Sequence, residues 1–305
     1  MKPRLNFEWL HGCSGCEIAL LNSGELLFSL FQLVDIVHFP LLMDHKYIAD
    51  PGEEGDLSLP EADIGLVTGG VGLASHLKIL TAMRRQCRVL IAVGTCAGHG
   101  GIPAMRNQWT AGQTMETVFS TATTDTAPVP DGVPALLDRV SSIDEQVRVD
   151  VCLPGCPPRP EMIIAVLEAL IQREEQRLPH KSVCETCPTV RTGKGQATIH
   201  RGTVRAAYTP GEPLDRMRCL LEQGLLCMGP VTAGGCGGRD VPLCLRSRVS
   251  CRGCYGPVRK YGNQLLDMMN ALASNGIDYR TIIDRTSLLR FSGAHGRLRP
   301  KGERK

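Results

Sequence analysis

The sequence has few aromatic residues and no apolar run long enough to cross a membrane. Phe, Trp and Tyr together make up 4% of the 305 residues. The longest apolar stretch, residues 26–43, is interrupted by Gln32, Asp35, His38 and Pro40. A spanning helix needs about 20 consecutive apolar residues. We therefore predict a helix end followed by a strand in this stretch, and no membrane span.

A targeting segment and an even spread of positive charge are also missing. The first ten residues, MKPRLNFEWL, lack the charged and apolar regions of a secretory signal and contain no twin arginine. The net charge of +3 is concentrated in residues 290–305, which carry six Lys or Arg and one Glu, so the rest of the chain is slightly acidic. This distribution argues against a nucleic-acid-binding surface. We expect the basic end to be solvated and partly disordered.

Cysteine, in contrast, is abundant, with 14 residues. The missing targeting segment favours a cytoplasmic protein, where thiols stay reduced and disulfides are rare. Many cysteines in a reducing compartment indicate metal binding or catalysis. The turn WLHGCSGCEIALL, residues 9–21, contains Cys13 and Cys16. Their spacing alone suits a redox dithiol, a zinc site, a disulfide or an iron–sulfur ligand pair.

Strand and helix patterns alternate through the first half of the chain. Strands are predicted within residues 3–10, 34–39, 62–70, 88–101 and 146–160, and helices at residues 17–31, 74–86 and 161–175. Continuous apolar strands that alternate with helices predict a parallel sheet covered on both faces. We expect a flavodoxin-like, doubly wound α/β domain over residues 1–177. Residues 102–145 are predicted to be a long surface excursion.

Four cysteines of this half follow predicted strands. Cys13 and Cys16 come after the first strand, Cys96 after the fourth and Cys156 after the fifth. Open α/β sheets place their sites at the carboxyl ends of parallel strands, so we expect these thiols to converge. Four thiolates can hold a [4Fe–4S] cluster, and the neighbouring glycines allow backbone amides to approach it. The alternative is a chance grouping of core thiols.

The alternation fades from about residue 178, and eight cysteines follow within 71 positions. They are Cys184, Cys187, Cys219, Cys227, Cys236, Cys244, Cys251 and Cys254. A loop-rich segment with a small core needs additional stabilisation, which bound clusters would supply. We therefore predict a cysteine-rich domain over residues 178–305. Cys87 and Cys152 are interpreted as buried, small apolar residues, which leaves three sets of four cysteines.

Seven stretches of the chain resemble the small, electron-transferring subunit of [NiFe] hydrogenases. They are WLHGCSGCE, LLMDHKY, GTCAGHGGIPAMRNQW, LPGCPPRPE, VCETCP, GLLCMGPVTAGGC and CRGCYGP, in that order over roughly residues 7–262. The likeness is greatest to the cytoplasmic methyl-viologen-reducing, or F420-non-reducing, type. One C-x₂-C pair alone would be weak evidence, but the combination is specific.

The resemblance implies three [4Fe–4S] clusters. It assigns Cys13, Cys16, Cys96 and Cys156 to a proximal cluster, Cys184, Cys187, Cys219 and Cys227 to a distal one, and Cys236, Cys244, Cys251 and Cys254 to a medial one. Many relatives have His in place of Cys184 and Pro where a fourth medial ligand could lie. Four cysteines in each set favour [4Fe–4S] over a medial [3Fe–4S] cluster. His180 is a weaker ligand candidate than Cys184.

The chain departs from the family pattern after the third strand. Relatives usually have Glu-Gly there, whereas this chain has LVTGGVG, with Thr68 in the Glu position. This puts in doubt any role of that Glu in proton handling or tuning, but not cluster binding. Glu17 is retained, and either the helix dipole or a proton role would explain it.

The resemblance also implies the partners. A separate large subunit would hold the nickel–iron centre and face the rim around Cys13, Cys96 and Cys156. The surface around Cys184 and Cys187 would face a further electron carrier, a flavin or ferredoxin-like subunit. Two other classes stay open at this point: a zinc-stabilised binding module, and an iron–sulfur subunit of another redox complex of the same fold. A flavin carrier is disfavoured because no phosphate-binding loop follows a strand.

Overall fold

A computed structural model describes residues 2–45, 47, 57–121, 129–193, 195–200, 204–238 and 240–300. The chain separates into two compact units. The first contains the chain up to Arg177 together with the chain from Gly293 onward, and the second extends from Leu178 to Ser292. Lys46, within the LLMDHKY stretch, and the last five residues of the basic end lie outside the described residues.

The strands all belong to the first unit. They are β1 (Arg4–Trp9), β2 (Asp35–His38), β3 (Ala62–Thr68), β4 (Val71–Leu73), β5 (Cys87–Val93), β6 (Leu136–Ser141) and β7 (Val151–Leu153). Five of them form one parallel sheet in the order β2-β1-β3-β5-β7. This is the strand order of flavodoxin-like doubly wound folds. The predicted α/β fold with five parallel strands is confirmed.

Among the described residues, six α-helices belong to the first unit and two to the second. They are α1 (Gly15–Leu21), α2 (Glu25–Leu33), α3 (Ala74–Gln86), α4 (Gly94–His99), α5 (Ala111–Phe119), α6 (Pro160–Gln172), α7 (Leu243–Arg246) and α8 (Gln264–Ser274). Leu80 and Met83 of α3 pack with Val67 and Leu90 of the central strands. In the described parts of the chain, none of these helices has the length and apolar character that a bilayer crossing requires.

Three local features differ from the predicted pattern. The single helix expected at residues 17–31 is two helices, because Gly24 adopts a positive φ of 62° that ends the first and starts the second. The glycine-rich loop expected after β5 begins as the short helix α4. The expected surface excursion contains β6, which pairs antiparallel with β4 in a second, two-stranded sheet.

Residues 293–300 pack within the first unit, whereas a solvated tail was expected for residues 290–305. Ala294 and Leu298 are buried, and the Ala294 amide donates to the carbonyl of His99 at 3.2 Å. The His295 amide donates to the Glu145 carboxylate at 3.0 Å, and its ring lies 3.1 Å from Asp144. Charge alone predicted a solvated tail, but apolar residues and a histidine between the arginines allow this docking.

The second unit has little regular structure. Besides α7 and α8 it contains short 3₁₀ turns and isolated bridges, among them Thr232 with Pro257. Cysteines contribute to its apolar clusters, since Cys227 and Cys251 are buried beside Val231 and Met268. The core of this unit is therefore built partly from predicted ligands.

The docked end generates a stability prediction. Leu298 is 5% exposed, so we expect Leu298→Ala to lower the free energy of unfolding by about 2–5 kcal/mol through lost burial and a residual cavity. The exposed neighbour Arg299 provides the control, and Arg299→Ala should change it by about 0.5 kcal/mol or less. Chemical denaturation of the purified protein measures both, and equal effects of the two variants would show that Leu298 does not hold the chain end in place.

Candidate functional site

The first cysteine pair lies in a corner fixed by backbone hydrogen bonds. His11 pairs with Gly70 through two backbone bonds of 3.0 and 2.9 Å, and the Leu10 amide donates to the carbonyl of Thr68. Gly69 has a φ of 78°, and a Cβ there would lie 2.7 Å from the His11 nitrogen. This corner delivers Cys13 and Cys16 to the start of α1, beyond the carboxyl end of β1.

Cys96 and Cys156 are brought together by a second pair of loops. The Thr95 amide donates to the carbonyl of Gly155 at 2.8 Å, and the Thr95 hydroxyl accepts from the Gly155 amide at 3.2 Å. Thr95 is buried at the beginning of α4. The loops after β5 and β7 are thereby joined next to the two cysteines.

The four thiols of this edge lie close enough to affect one another. Burial raises the pKa of the Cys16 thiol, and the charges of Glu17, Cys96, Cys156 and Cys13 raise it further. Burial and then Cys156 raise the pKa of Cys96 to about 12. The structure thus brings all four thiols predicted for this edge into one neighbourhood.

Glycines leave the space around these sulfur atoms open. A Cβ at Gly94 would lie 2.6 Å from the Cys16 sulfur, and a Cβ at Gly101 would lie 2.6 Å from the Cys96 sulfur. Both glycines also have positive φ angles. The sulfur atoms therefore depend on glycine at these positions, as the sequence pattern indicated.

Thr68 and Glu17 are in direct contact. The Thr68 hydroxyl donates to one carboxylate oxygen of Glu17, and both side chains are buried. The other oxygen of Glu17 is buried without a hydrogen-bond partner. Burial raises the pKa of Glu17, and the Thr68 hydrogen bond opposes that shift. Thr68, which stands where the resemblance led us to expect Glu, thus hydrogen-bonds to Glu17.

A buried carboxylate on β1, that of Glu8, was not predicted from the sequence. Glu8 accepts hydrogen bonds from the Tyr47 hydroxyl and the Trp9 amide and lies 2.8 Å from the His38 ring. The rings of His38 and His45 meet edge to face at 4.7 Å. Because Arg4 and Asn6 also interrupt the apolar pattern of β1, the sequence contained no signal that set Glu8 apart.

In the second unit, Cys184, Cys187, Cys219 and Cys227 line one cavity. Burial and the neighbouring Cys187 raise the pKa of Cys184 to about 11. Burial raises the pKa of Cys227 to about 12, against hydrogen bonds from the amides of Gly229 and Cys251. These are the four cysteines that the resemblance groups together as the distal set.

The remaining four cysteines are grouped less completely. Burial holds the pKa of Cys251 well above its usual value, and the charges of Cys227, Cys254 and Cys244 raise it further. Cys236 is buried and follows the segment at Thr232 that pairs with Pro257. The Cys251 amide donates to the Cys227 sulfur at 3.3 Å, so this set adjoins the previous one.

The other candidate residues are Cys87, Cys152 and His180. Cys87 is buried as predicted, whereas Cys152 is only half-buried and faces Gly98. His180 is exposed and does not line the cysteine cavity. Across the described ranges, no cysteine forms a disulfide, and no three His, Cys, Asp or Glu side chains are grouped as ligands for a single metal ion.

The four-thiol groups fit an iron–sulfur cluster by the chemistry of their donors. Cysteine thiolates are the usual ligands of a [4Fe–4S] cluster, one on each of its iron atoms. The cavity between Cys184, Cys187, Cys219 and Cys227 is bordered by Gly229, where a Cβ would lie 3.3 Å from the Cys184 sulfur. The cysteine groups of both units therefore fit a [4Fe–4S] cluster.

Known proteins are similar to this sequence over most of its length. The family model described as NADH ubiquinone oxidoreductase, 20 kDa subunit, matches residues 13–170. One subunit of the F420-non-reducing hydrogenase of Methanothermobacter marburgensis is 34% identical over 93% of this chain and 87% of its own length. The corresponding subunit of the vhu F420-non-reducing hydrogenase of Methanococcus voltae is 36% identical over 94% of this chain and 93% of its own.

Solved structures share the fold. A chain of an NAD⁺-reducing [NiFe]-hydrogenase in the H₂-reduced state superposes with a TM-score of 0.52 at 36% identity, over 59% of this chain and 96% of that one. A chain of the [NiFeSe] hydrogenase of Desulfovibrio vulgaris Hildenborough has a TM-score of 0.51 over 84% of this chain and 94% of its own. At 19% identity, the second likeness concerns the fold alone.

The corner that carries Cys13 and Cys16 generates a first prediction for the site. Gly69→Ala places a Cβ against the His11 backbone at a positive φ, so we expect it to lower the free energy of unfolding by more than about 1 kcal/mol. Gly112→Ala is the control, because a Cβ there, in α5, comes no closer than 4.0 Å to the Thr110 hydroxyl. It should leave the stability unchanged or raise it by up to about 1 kcal/mol. Chemical denaturation compares the two, and a neutral Gly69→Ala would mean that this corner is not tightly fixed.

The contact between Thr68 and Glu17 generates a second prediction. Thr68→Val keeps the shape of the side chain but leaves a buried carboxyl without its donor, which we expect to cost about 1–3 kcal/mol of stability. Thr68→Ser keeps the hydroxyl and is the matched control for the hydrogen bond. Denaturation of both variants at neutral pH measures the difference, and a Val variant as stable as the Ser variant would contradict the role of this bond.

Proposed function

Because the chain belongs to the NADH ubiquinone oxidoreductase 20 kDa subunit family, and within it to the small subunits of [NiFe] hydrogenases, we propose that it relays electrons in such an enzyme. It would carry them between the nickel–iron site of a large subunit, where H₂ and protons interconvert, and an external redox partner. The observation that carries this proposal is the convergence of Cys13, Cys16, Cys96 and Cys156 at one sheet edge.

We propose three [4Fe–4S] clusters as the carriers. The proximal one would be held by the four thiols of the sheet edge, the distal one by the four thiols of the cavity in the second unit, and the medial one by Cys236, Cys244, Cys251 and Cys254. When bound, such clusters supply one-electron storage without proton transfer. The protein holds the thiols in place and supplies backbone amides, such as that of Cys251, to the sulfur atoms.

Apolar residues beside the proximal thiols support a large-subunit interface there. Trp9, Ile18 and Ile102 are 40%, 46% and 46% exposed, close in sequence to Cys13, Cys16 and Cys96 respectively. Exposed apolar residues that border a functional edge are typical of protein interfaces. We assign this rim to the large subunit and the surface around Cys184 and Cys187 to the next carrier, a flavin or ferredoxin-like subunit.

We also propose that the protein works in the cytoplasm. Twelve cysteines in ligand roles need reduced thiols during assembly, and a reducing compartment provides them. The observation behind this proposal is the high cysteine content together with the free thiol form of the cysteines in the described residues.

Elemental analysis of the anaerobically purified complex tests the proposed function. Three [4Fe–4S] clusters require about 12 iron and 12 sulfide per copy of this chain, with about one nickel in the complex. Iron and sulfide without nickel would keep the electron relay but remove the hydrogenase. Zinc in place of iron would overturn the relay and leave a zinc-stabilised binding module.

Single substitutions make the same analysis specific to the ligands. Cys96→Ser should lower the iron content by up to about four per chain, because one cluster loses a ligand. Cys87→Ser is the matched control, since Cys87 is buried at the start of β5, at the opposite end of that strand from Cys96, and it should leave the iron content unchanged. Equal iron in wild type and Cys96→Ser would remove Cys96 from the ligand set.

A further inference from the structure

The cavity of the distal set has one charged side chain in its wall. Apart from its four cysteines, the described residues that line it are apolar or uncharged, with the exception of Arg191. Arg191 is exposed to solvent, and its guanidinium donates to the side-chain oxygen of Asn275, a neutral partner, at 3.3 Å.

The backbone on both sides of Arg191 is fixed. The Val190 amide donates to the carbonyl of Met217 at 2.9 Å, and the Val190 carbonyl accepts from the amide of Cys219 at 2.8 Å. On the other side, the buried carboxylate of Glu222 accepts from the amides of Thr192 and Gly193 and from the Thr192 hydroxyl, at 2.8–3.0 Å. Arg191 is thus carried on a short segment anchored next to one of the four thiols.

Two charged residues that neighbour these cysteines in the chain form ion pairs. Glu185 follows Cys184 and forms an ion pair with Lys181, and Arg218 precedes Cys219 and lies 3.6 Å from Glu222. Each of these pairs contributes little net charge to the cavity. Among the described residues that line the cavity, Arg191 is therefore the one whose charge acts directly on a group bound there.

We propose that Arg191 raises the reduction potential of the cluster held by Cys184, Cys187, Cys219 and Cys227. This inference rests on the proposed function, in which that cavity holds a [4Fe–4S] cluster. Reduction adds one electron to the cluster, breaks no bond and takes up no proton, so the group becomes more negative by one unit. A fixed positive charge in the cavity wall stabilises the reduced form more than the oxidised one. Arg191 thus acts on the reduction potential through its charge and is not a ligand of the cluster.

The test is a redox titration of the intact complex followed by electron paramagnetic resonance. Cys184→Ser identifies the distal signal, because it alters that signal and not the others. In Arg191→Gln, the reduced-to-oxidised ratio of this cluster at the wild-type midpoint should fall roughly 3- to 10-fold, as expected for one partly screened charge. A tenfold fall corresponds to about 59 mV for a one-electron couple.

Two further variants separate charge from structure. Arg191→Lys keeps the charge and should retain most of the wild-type potential. Arg285→Gln removes the same charge from the same unit, but Arg285 does not line the cavity and its guanidinium lies over the Tyr279 ring, so it should not shift the distal signal. The shift caused by Arg191→Gln should also shrink at high ionic strength, because salt screens exposed charges.

Each contrary outcome has a distinct meaning. An unshifted distal potential in Arg191→Gln, with all three cluster signals present, would overturn the role of Arg191 and leave the proposed function intact. Equal shifts in Arg191→Gln and Arg191→Lys, or in Arg285→Gln, would also overturn it. If Cys184→Ser altered none of the cluster signals of the wild-type complex, the distal assignment would be overturned. The role of Arg191 would then be overturned with it.

Discussion

Placing several thiols next to one another is costly, and the arrangement of both units depends on how that cost is met. Burial raises the pKa values of Cys16, Cys96 and Cys184, and neighbouring thiols raise them further. In the chain by itself these groups therefore resist the ionisation that ligation requires. A cationic metal–sulfide core reverses this balance, because it favours the thiolate form. On the proposed assignment, cluster binding and thiol deprotonation are one coupled step.

The two units hold their neighbouring thiols in place in different ways. In the first, a five-stranded parallel sheet with its own apolar core positions the thiols, and hydrogen bonds at Gly70 and Gly155 fix the loops that carry them. In the second, Cys227 and Cys251 belong to the apolar core itself. A unit whose core includes its ligands gains folding free energy directly from what they bind. On the proposed assignment, the second unit therefore depends more strongly on its clusters than the first.

The sequence was sufficient for the sheet and for the convergence at its edge, because apolar strands and their carboxyl ends follow from local pattern and topology. It did not predict the pairing of β6 with β4 or the docking of the chain end at His295, since both depend on contacts between distant segments. From the sequence, Thr68 indicated only the loss of a carboxylate. The structure shows that its hydroxyl donates a hydrogen bond to Glu17. The division of the last eight cysteines came from family resemblance, as spacing cannot assign ligands that loops bring together.

The two cysteine sets of the second unit are not independent modules. Gly229 lies against both: a Cβ there would be 3.3 Å from the Cys184 sulfur, 3.5 Å from the Cys227 sulfur and 3.9 Å from the Cys251 Cβ. The Cys251 amide also donates to the Cys227 sulfur. On the proposed assignment, this amide belongs to a medial ligand and its acceptor to a distal one. The hydrogen bond stabilises negative charge on Cys227. On the same assignment it also gives electrons a short connection between the two clusters, so the contact that tunes one proposed carrier links it to the next.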